Sequence, residues 1–254
     1  MTRLQKIFGG NKKVLVIFDS CGAPTMEESE RRLESIIESG ADIVELGIPF
    51  SDPVADGPVI QKASQTALAN GATLEKILKM ASRIRKKHPE TGLIFFGYCN
   101  VFLQYGWEKL FSELALLEAD GILVVDLPYE ERDEILPFCR KYGIPQIPLI
   151  GPSTDLERAK KLLAEAEGFA YCINARGVTG ARKTLPPELA ARLEALKKIS
   201  PIPVASGFGI SDGKSAFEVA HHTDAVVVGS AAVRLPLPEL APFVRSLKEA
   251  ISGI

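Results

Sequence analysis

Short apolar runs and longer amphipathic stretches take turns along the whole chain. Residues 14–18 are the first run, broken by Gly22 and Pro24. A 3.6-residue period then puts Leu33, Ile36 and Ile37 on one face of a helix over 26–39, which Gly40 stops. Residues 43–47 are the second run. Helical periodicity returns over 59–69 and, past Asn70-Gly71, over 74–87, where Thr73 is placed to cap it. The pattern predicts further strands over 93–98, 121–125, 146–150, 169–173, 203–206 and 225–228. Between them it predicts helices over 107–117 and about 130–142, one ending near Glu167, then 186–198, 213–222 and a last one ending at Ile251. Residues 100–106 read as a loop, and residues 1–8 as a short amphipathic helix.

The strands are short and apolar throughout, as buried parallel strands are. Eight of them alternating with helices predict an α/β fold: a single (β/α)8 TIM barrel over residues 1–254, with a short N-terminal helix. A doubly wound open sheet is the rival, and it lacks a Gly-x-Gly-x-x-Gly turn into the first helix. A length of 254 residues is ordinary for a closed barrel of ~250.

Composition narrows the function classes. The net charge is −2, with acids and bases interspersed, which gives no footing for nucleic acid or a membrane surface. No apolar run is long enough to span a bilayer, and the N-terminus lacks a signal-peptide core, so the expected compartment is the cytoplasm. Cys21, Cys99, Cys139 and Cys172 are far apart in sequence and in no metal-ligand spacing, as expected of reduced thiols. His88, His221 and His222 fall at helix ends and form no catalytic set.

One stretch breaks the pattern. Residues 44–57 read Val-Glu-Leu-Gly-Ile-Pro-Phe-Ser-Asp-Pro-Val-Ala-Asp-Gly. Glu45 sits inside an apolar strand, where a carboxylate is costly unless it is paired or has a task. Pro49 and Pro53 keep the following loop stiff and irregular. That loop carries Asp52 and Asp56. In a barrel, all strand C-termini share the face that holds the active site. Two acids there suit one substrate, one acid buried and protonated, the other better solvated and ionised. For Glu45, binding to a neighbouring Lys or to a loop N–H, and for Asp52 and Asp56 turn-capping, remain open from the residues alone.

Three glycine loops follow strands six, seven and eight: Gly177-Val178-Thr179-Gly180, Ser206-Gly207-Phe208-Gly209 and Gly229-Ser230. Glycine lets backbone N–H groups approach an anion closely, and barrels often bind phosphate with these loops, although αβ turns need glycine in any case. Phe18, Phe96, Leu123, Val125, Tyr171 and Ile60 would wall the space between the acids and the glycines. Each of them suits the core equally well; together they suit a flat aromatic group. Tyr98 and Asp126 belong to the same face.

The 44–57 stretch resembles the signature of the tryptophan synthase alpha chain family, the indole-3-glycerol-phosphate lyases. Val44-Glu45-Leu46-Gly47, Phe50-Ser51-Asp52-Pro53 and Ala55-Asp56-Gly57 match without a gap. Asp126-Leu127-Pro128, Tyr171 and the 177–180 loop extend the likeness over the chain. The resemblance implies retro-aldol cleavage of indole-3-glycerol phosphate to indole and glyceraldehyde 3-phosphate in tryptophan biosynthesis. It implies Glu45 as general acid/base and Asp56 as the partner of the indole nitrogen. Substrate contacts are implied at Phe18, Tyr98, Tyr171, Gly180, Phe208, Gly209, Gly229 and Ser230. It implies no metal and no cofactor in this chain, and a partner, the tryptophan synthase beta chain, that carries pyridoxal phosphate in an α2β2 complex. Two positions depart from the pattern: Ser20-Cys21-Gly22-Ala23-Pro24, where relatives commonly read Thr-Ala-Gly-Asp-Pro, and Val101, where many have Pro. The rivals are a free-standing indole-releasing lyase, a non-catalytic activator subunit, and another phosphate-binding barrel enzyme. Intact Glu45 and Asp56 weigh against the activator. No strand ends in the lysine a Schiff-base aldolase needs.

Overall fold

The computed structural model of the protein describes residues 1–10, 12–173, 185–207 and 209–254. Helix α1 (Arg3–Phe8) opens the chain, capped by Thr2 and Gln5 in a reciprocal box. Then follow β1 (Val14–Ser20), α2 (Met26–Glu38), β2 (Ile43–Gly47), α3 (Pro58–Ala69), α4 (Leu74–Lys87), β3 (Gly92–Gly97), α5 (Cys99–Tyr105), α6 (Trp107–Leu116) and β4 (Gly121–Val124). A 3-10 turn (Tyr129–Glu134) leads to α7 (Leu136–Tyr142), β5 (Leu149–Ile150), α8 (Leu156–Leu163) and β6 (Ala170–Cys172). The chain continues through α9 (Pro187–Ile199), β7 (Val204–Ser206), α10 (Gly213–Ala220), β8 (Ala225–Val228), α11 (Ser230–Val233) and α12 (Leu237–Ile251).

The eight described strands lie parallel in the order β4-β3-β2-β1-β8-β7-β6-β5. A parallel bridge between Ile122 and Gln146 brings the two ends together, with Ile147 N–H donating to Ile122 O at 2.8 Å. This is the expected barrel. Period-2 alternation sorts the strand residues into layers. Val14, Val16, Ile43, Ile94, Leu123 and Val227 share the barrel interior, while Leu15, Ile17, Val44, Leu46 and Phe95 pack outward under the helices. Leu4, Ile7 and Phe8 of α1 join the interior cluster and stopper it; Phe8 and Phe169 meet at 5.7 Å between ring centroids. Arg3 ties that stopper to Asp120 and Glu118.

A device recurs at the N-terminal ends of the strands. Asp42, just before β2, accepts from Leu15 N–H of β1 at 2.8 Å. Asp120, before β4, accepts from Leu93 N–H of β3 at 2.9 Å. Asp224, before β8, accepts from Val204 N–H of β7 at 2.8 Å. Each carboxylate staples an even strand to the odd one before it.

Three elements differ from the sequence pattern. Residues 100–106 are largely α5 rather than a loop: seven residues give too little periodicity to read, and the N-cap residue Tyr98 makes no side-chain cap bond of its own. The helix read over 130–142 is split, because Pro137 has no N–H to extend the 3-10 turn and instead sits in the first turn of α7. Strand five shrinks from 146–150 to Leu149–Ile150, since Pro145 and Pro148 withhold ladder donors. The histidines take the helix-end places expected: His88 and His221 follow α4 and α10 as caps, and His222 pairs with Glu194.

Candidate active site

Alternation on β2 decides where Glu45 points. Ile43 lies in the interior cluster and Val44 and Leu46 lie outside it, so Glu45 faces the barrel interior, in register with Phe18 of β1 and Ile94 of β3. It is 1% exposed. Among the described residues none makes a salt bridge to it, and its Oε1 has no hydrogen-bond partner. The ion-pair role left open by the sequence is therefore not the one observed. Burial alone pushes its pKa up to about 8, so it holds a proton at neutral pH.

Asp56 lies on the loop above. Its Oδ2 accepts from the Tyr98 hydroxyl at 3.0 Å, and the same hydroxyl accepts from Ala55 N–H at 3.1 Å. One phenol thus clamps both the carboxylate and the backbone that carries it. Phe50 packs on Tyr98 with centroids 5.1 Å apart. Burial raises the Asp56 pKa, and the Tyr98 bond opposes the rise. Asp52 is exposed, and its carboxylate accepts from the hydroxyl of its neighbour Ser51.

Tyr171 joins the two acids. Its pKa is raised by burial first, then by the charges of Glu45, Cys172 and Asp56. Its hydroxyl abuts Gly207, where an added Cβ would stand 2.9 Å from it. On the opposite wall, Phe18 and Phe96 meet edge-on at 5.1 Å. The Phe18 ring reaches Phe96 by passing over Gly47, where a Cβ would lie 2.3 Å from Cζ. Gly229 follows β8 beside Phe18, and Ser230 begins α11. Gly209 adopts φ 53°, a left-handed turn that favours glycine. Gly180, Phe208 and the 177–184 part of the loop after β6 lie outside the described residues.

A family model, "Tryptophan synthase alpha chain", matches residues 4–240. The chain belongs to the tryptophan synthase alpha chain family. Members are lyases that cleave indole-3-glycerol phosphate, and this chain is an alpha subunit of that kind. The tryptophan synthase alpha chain of Shouchella clausii is 44% identical over 87% of this chain and 81% of its own length. That of Geobacter sulfurreducens is 41% identical over 96% and 95%. Among solved structures, tryptophan synthase subunit alpha of Legionella pneumophila superposes with a TM-score of 0.90 at 34% identity, covering 100% of both chains. A chain from Aquifex aeolicus gives 0.92 at 32% identity, covering 99% of this chain and 100% of its own. The tryptophan synthase fold of these relatives is the barrel described above.

Three features of this chain were not evident from its sequence. Asp126, read only as a residue of the active face, accepts from Cys99 N–H at 2.7 Å and so fixes the start of α5. Ser20, two residues beyond Phe18 on β1, keeps a buried hydroxyl without a partner among the described residues. Asp19 and Arg32 form a buried pair beneath it. The signal for the pair was present: an acid directly after an apolar strand run, and an arginine beside Leu33 on the apolar face of α2.

Proposed function

We propose that Glu45 and Asp56 carry out the cleavage, that the glycine loops hold the substrate phosphate, and that residues 1–254 act as one barrel domain. The observation that carries this reading is the buried Glu45 carboxyl facing the interior, whose Oε1 has no hydrogen-bond partner among the described residues. Protonated, it would donate to C3 of the indole ring. The ring then bears positive charge at nitrogen, and Asp56, held by Tyr98, would accept that N–H and stabilise the charge. The Glu45 carboxylate would next take the proton of the side-chain hydroxyl. The C3 carbon–carbon bond breaks, its electron pair returns to the ring, and indole and glyceraldehyde 3-phosphate part. Glu45 ends protonated, as it began. Phe18, Phe96 and Tyr171 would sandwich the ring. Gly209, Gly229 and Ser230 would hold the phosphate through backbone N–H groups and the Ser230 hydroxyl, with Gly180 and Phe208 completing the site.

The partner in this reading is the tryptophan synthase beta chain, in an α2β2 complex in the cytoplasm, with pyridoxal phosphate on the beta chain. No described helix is long and apolar enough to cross a membrane. The docking face would be the mouth of the barrel. Val54 on the Asp56 loop is 85% exposed and Leu103 on α5 is 52% exposed, two apolar side chains without an internal duty. The test is to incubate the purified chain with indole-3-glycerol phosphate and follow indole. Glu45→Gln should lower turnover ~10²–10⁴-fold and leave the affinity for glycerol 3-phosphate unchanged. Near-full activity in that variant would remove Glu45 from the mechanism.

A further inference from the structure

We propose that Arg32, held by Asp19, is a positioning residue for the phosphate end of the site. The inference rests on reading Gly229 and Ser230 as phosphate contacts. Asp19 follows Phe18 on β1 but points the other way, toward α2, where Arg32 receives it. Both residues are buried, at 1% and 4% exposure. Arg32 Nε and Nη2 donate to the two Asp19 oxygens at 2.9 Å each, the bidentate geometry of a guanidinium facing a carboxylate. The guanidinium does not stop there. Nη2 also donates to Ala232 O at 3.0 Å, and Nη1 to Leu235 O at 2.6 Å. Those carbonyls lie at and just beyond the end of α11, the turn that Ser230 begins.

A four-residue helix has no stability of its own, so outside contacts set its position. Within α11, Ala232 and Val233 N–H groups both donate to Gly229 O, at 2.9 and 3.1 Å. Ala232 is thus one turn from Gly229, and fixing its carbonyl fixes the backbone that would face the phosphate. A buried ion pair is a poor device for stability alone, since an apolar pair of similar size often does as well. What an apolar pair cannot do is grip two carbonyls of a neighbouring segment. The rigid fork of Arg32 does this while Asp19 holds the fork against β1.

The test compares Asp19→Val/Arg32→Met, which removes both buried charges together, with Arg32→Lys and Gly229→Val. KM and kcat for indole-3-glycerol phosphate are measured, with the inhibition constant of inorganic phosphate. The double variant should raise KM and weaken phosphate inhibition by the same factor, about tenfold for lost charged hydrogen bonds. Its kcat and pH profile should stay near the parent's. Arg32→Lys keeps the charge without the fork and should fall between. If Gly229→Val weakens phosphate inhibition but a folded double variant matches the parent, the phosphate site stands and the role of Arg32 falls. If Gly229→Val leaves phosphate inhibition unchanged, the phosphate reading falls, and the proposal with it. Should the double variant not fold, parental KM in Arg32→Lys overturns the proposal.

Discussion

A carboxyl group kept from water, with no cation paired to it among the described residues, releases its proton late, and for Glu45 this has two measurable consequences. The first concerns rate. If the reaction starts with the protonated acid, kcat/KM should fall as pH rises through about 8, the Glu45 pKa. The ionised Asp56 it also needs should be lost on the acid side, in a limb raised above the ordinary aspartate range by burial. A profile that climbs through pH 8 would assign Glu45 the opposite starting state. The second consequence concerns stability. The folded chain keeps the Glu45 proton between the ordinary value of 4.5 and about 8, while the unfolded chain releases it. Stability is therefore lost as pH rises through that window, by at most about 1.4 kcal/mol per pH unit. Glu45→Gln should remove this loss, so denaturant melts of variant and parent should diverge steadily from about pH 5 to about pH 8. Parallel melts would mean the carboxyl is less isolated than its burial implies. Asp56→Asn should cripple cleavage, because an amide brings no negative charge to the ring nitrogen. Asp52→Asn should do little, since the Asp52 carboxylate is exposed and accepts from the adjacent Ser51 hydroxyl; single-substitution kinetics showing the reverse order would exchange the two roles.

At the scale of elements, β1, β2 and β3 build the aromatic wall together. Phe18 crosses over Gly47 to reach Phe96, and any Cβ at Gly47 would stand 2.3 Å from the ring tip and 3.0 Å from Asp19 O. Gly47→Ala should therefore drive the ring into the pocket, lowering kcat/KM while costing about 1–3 kcal/mol of stability from overpacking. Parental kinetics in a folded variant would show that Phe18 does not shape the indole space. The strands were legible in the sequence because a buried parallel strand is an apolar run whatever its neighbours are. Glu45 was legible for the same reason, as the exception within a run. What escaped is what short range hides. Helix α5 is two turns long and opens under an aspartate 27 residues away in sequence. The second half of β5 survives between prolines that the apolar pattern ignores. The aspartate staples escaped although each precedes a strand, since Asp42, Asp120 and Asp224 look like ordinary turn residues until their acceptor role on the preceding strand is seen. The glycine loops sit at the opposite limit: Gly207 follows β7 and Gly229 follows β8 as read, the 177–180 loop lies outside the described residues, and the anion was suggested by the glycines together with the family resemblance.

For the whole molecule, the partner is the largest expectation. A beta chain seated on Val54 and Leu103 would settle the Asp56 loop in its catalytic position, and a shift of ~1–3 kcal/mol in that equilibrium changes turnover roughly 5- to 150-fold. The isolated chain should be slow, and adding the beta chain from the same source should speed it, with a complex visible by sedimentation. Full activity alone with no complex would describe a free-standing lyase. A complex that activates the beta chain while this chain makes no indole would describe an activator. The N-terminal stopper gives that docking face a further meaning. Leu4, Ile7 and Phe8 fill the interior at one end, so the barrel is a vessel with its floor sealed and its mouth at the catalytic end. With the proposed site at that mouth, substrate would come in where product goes out. Indole left there would stand in the way of the next substrate, and a partner seated there would decide whether it escapes to solvent or is handed on.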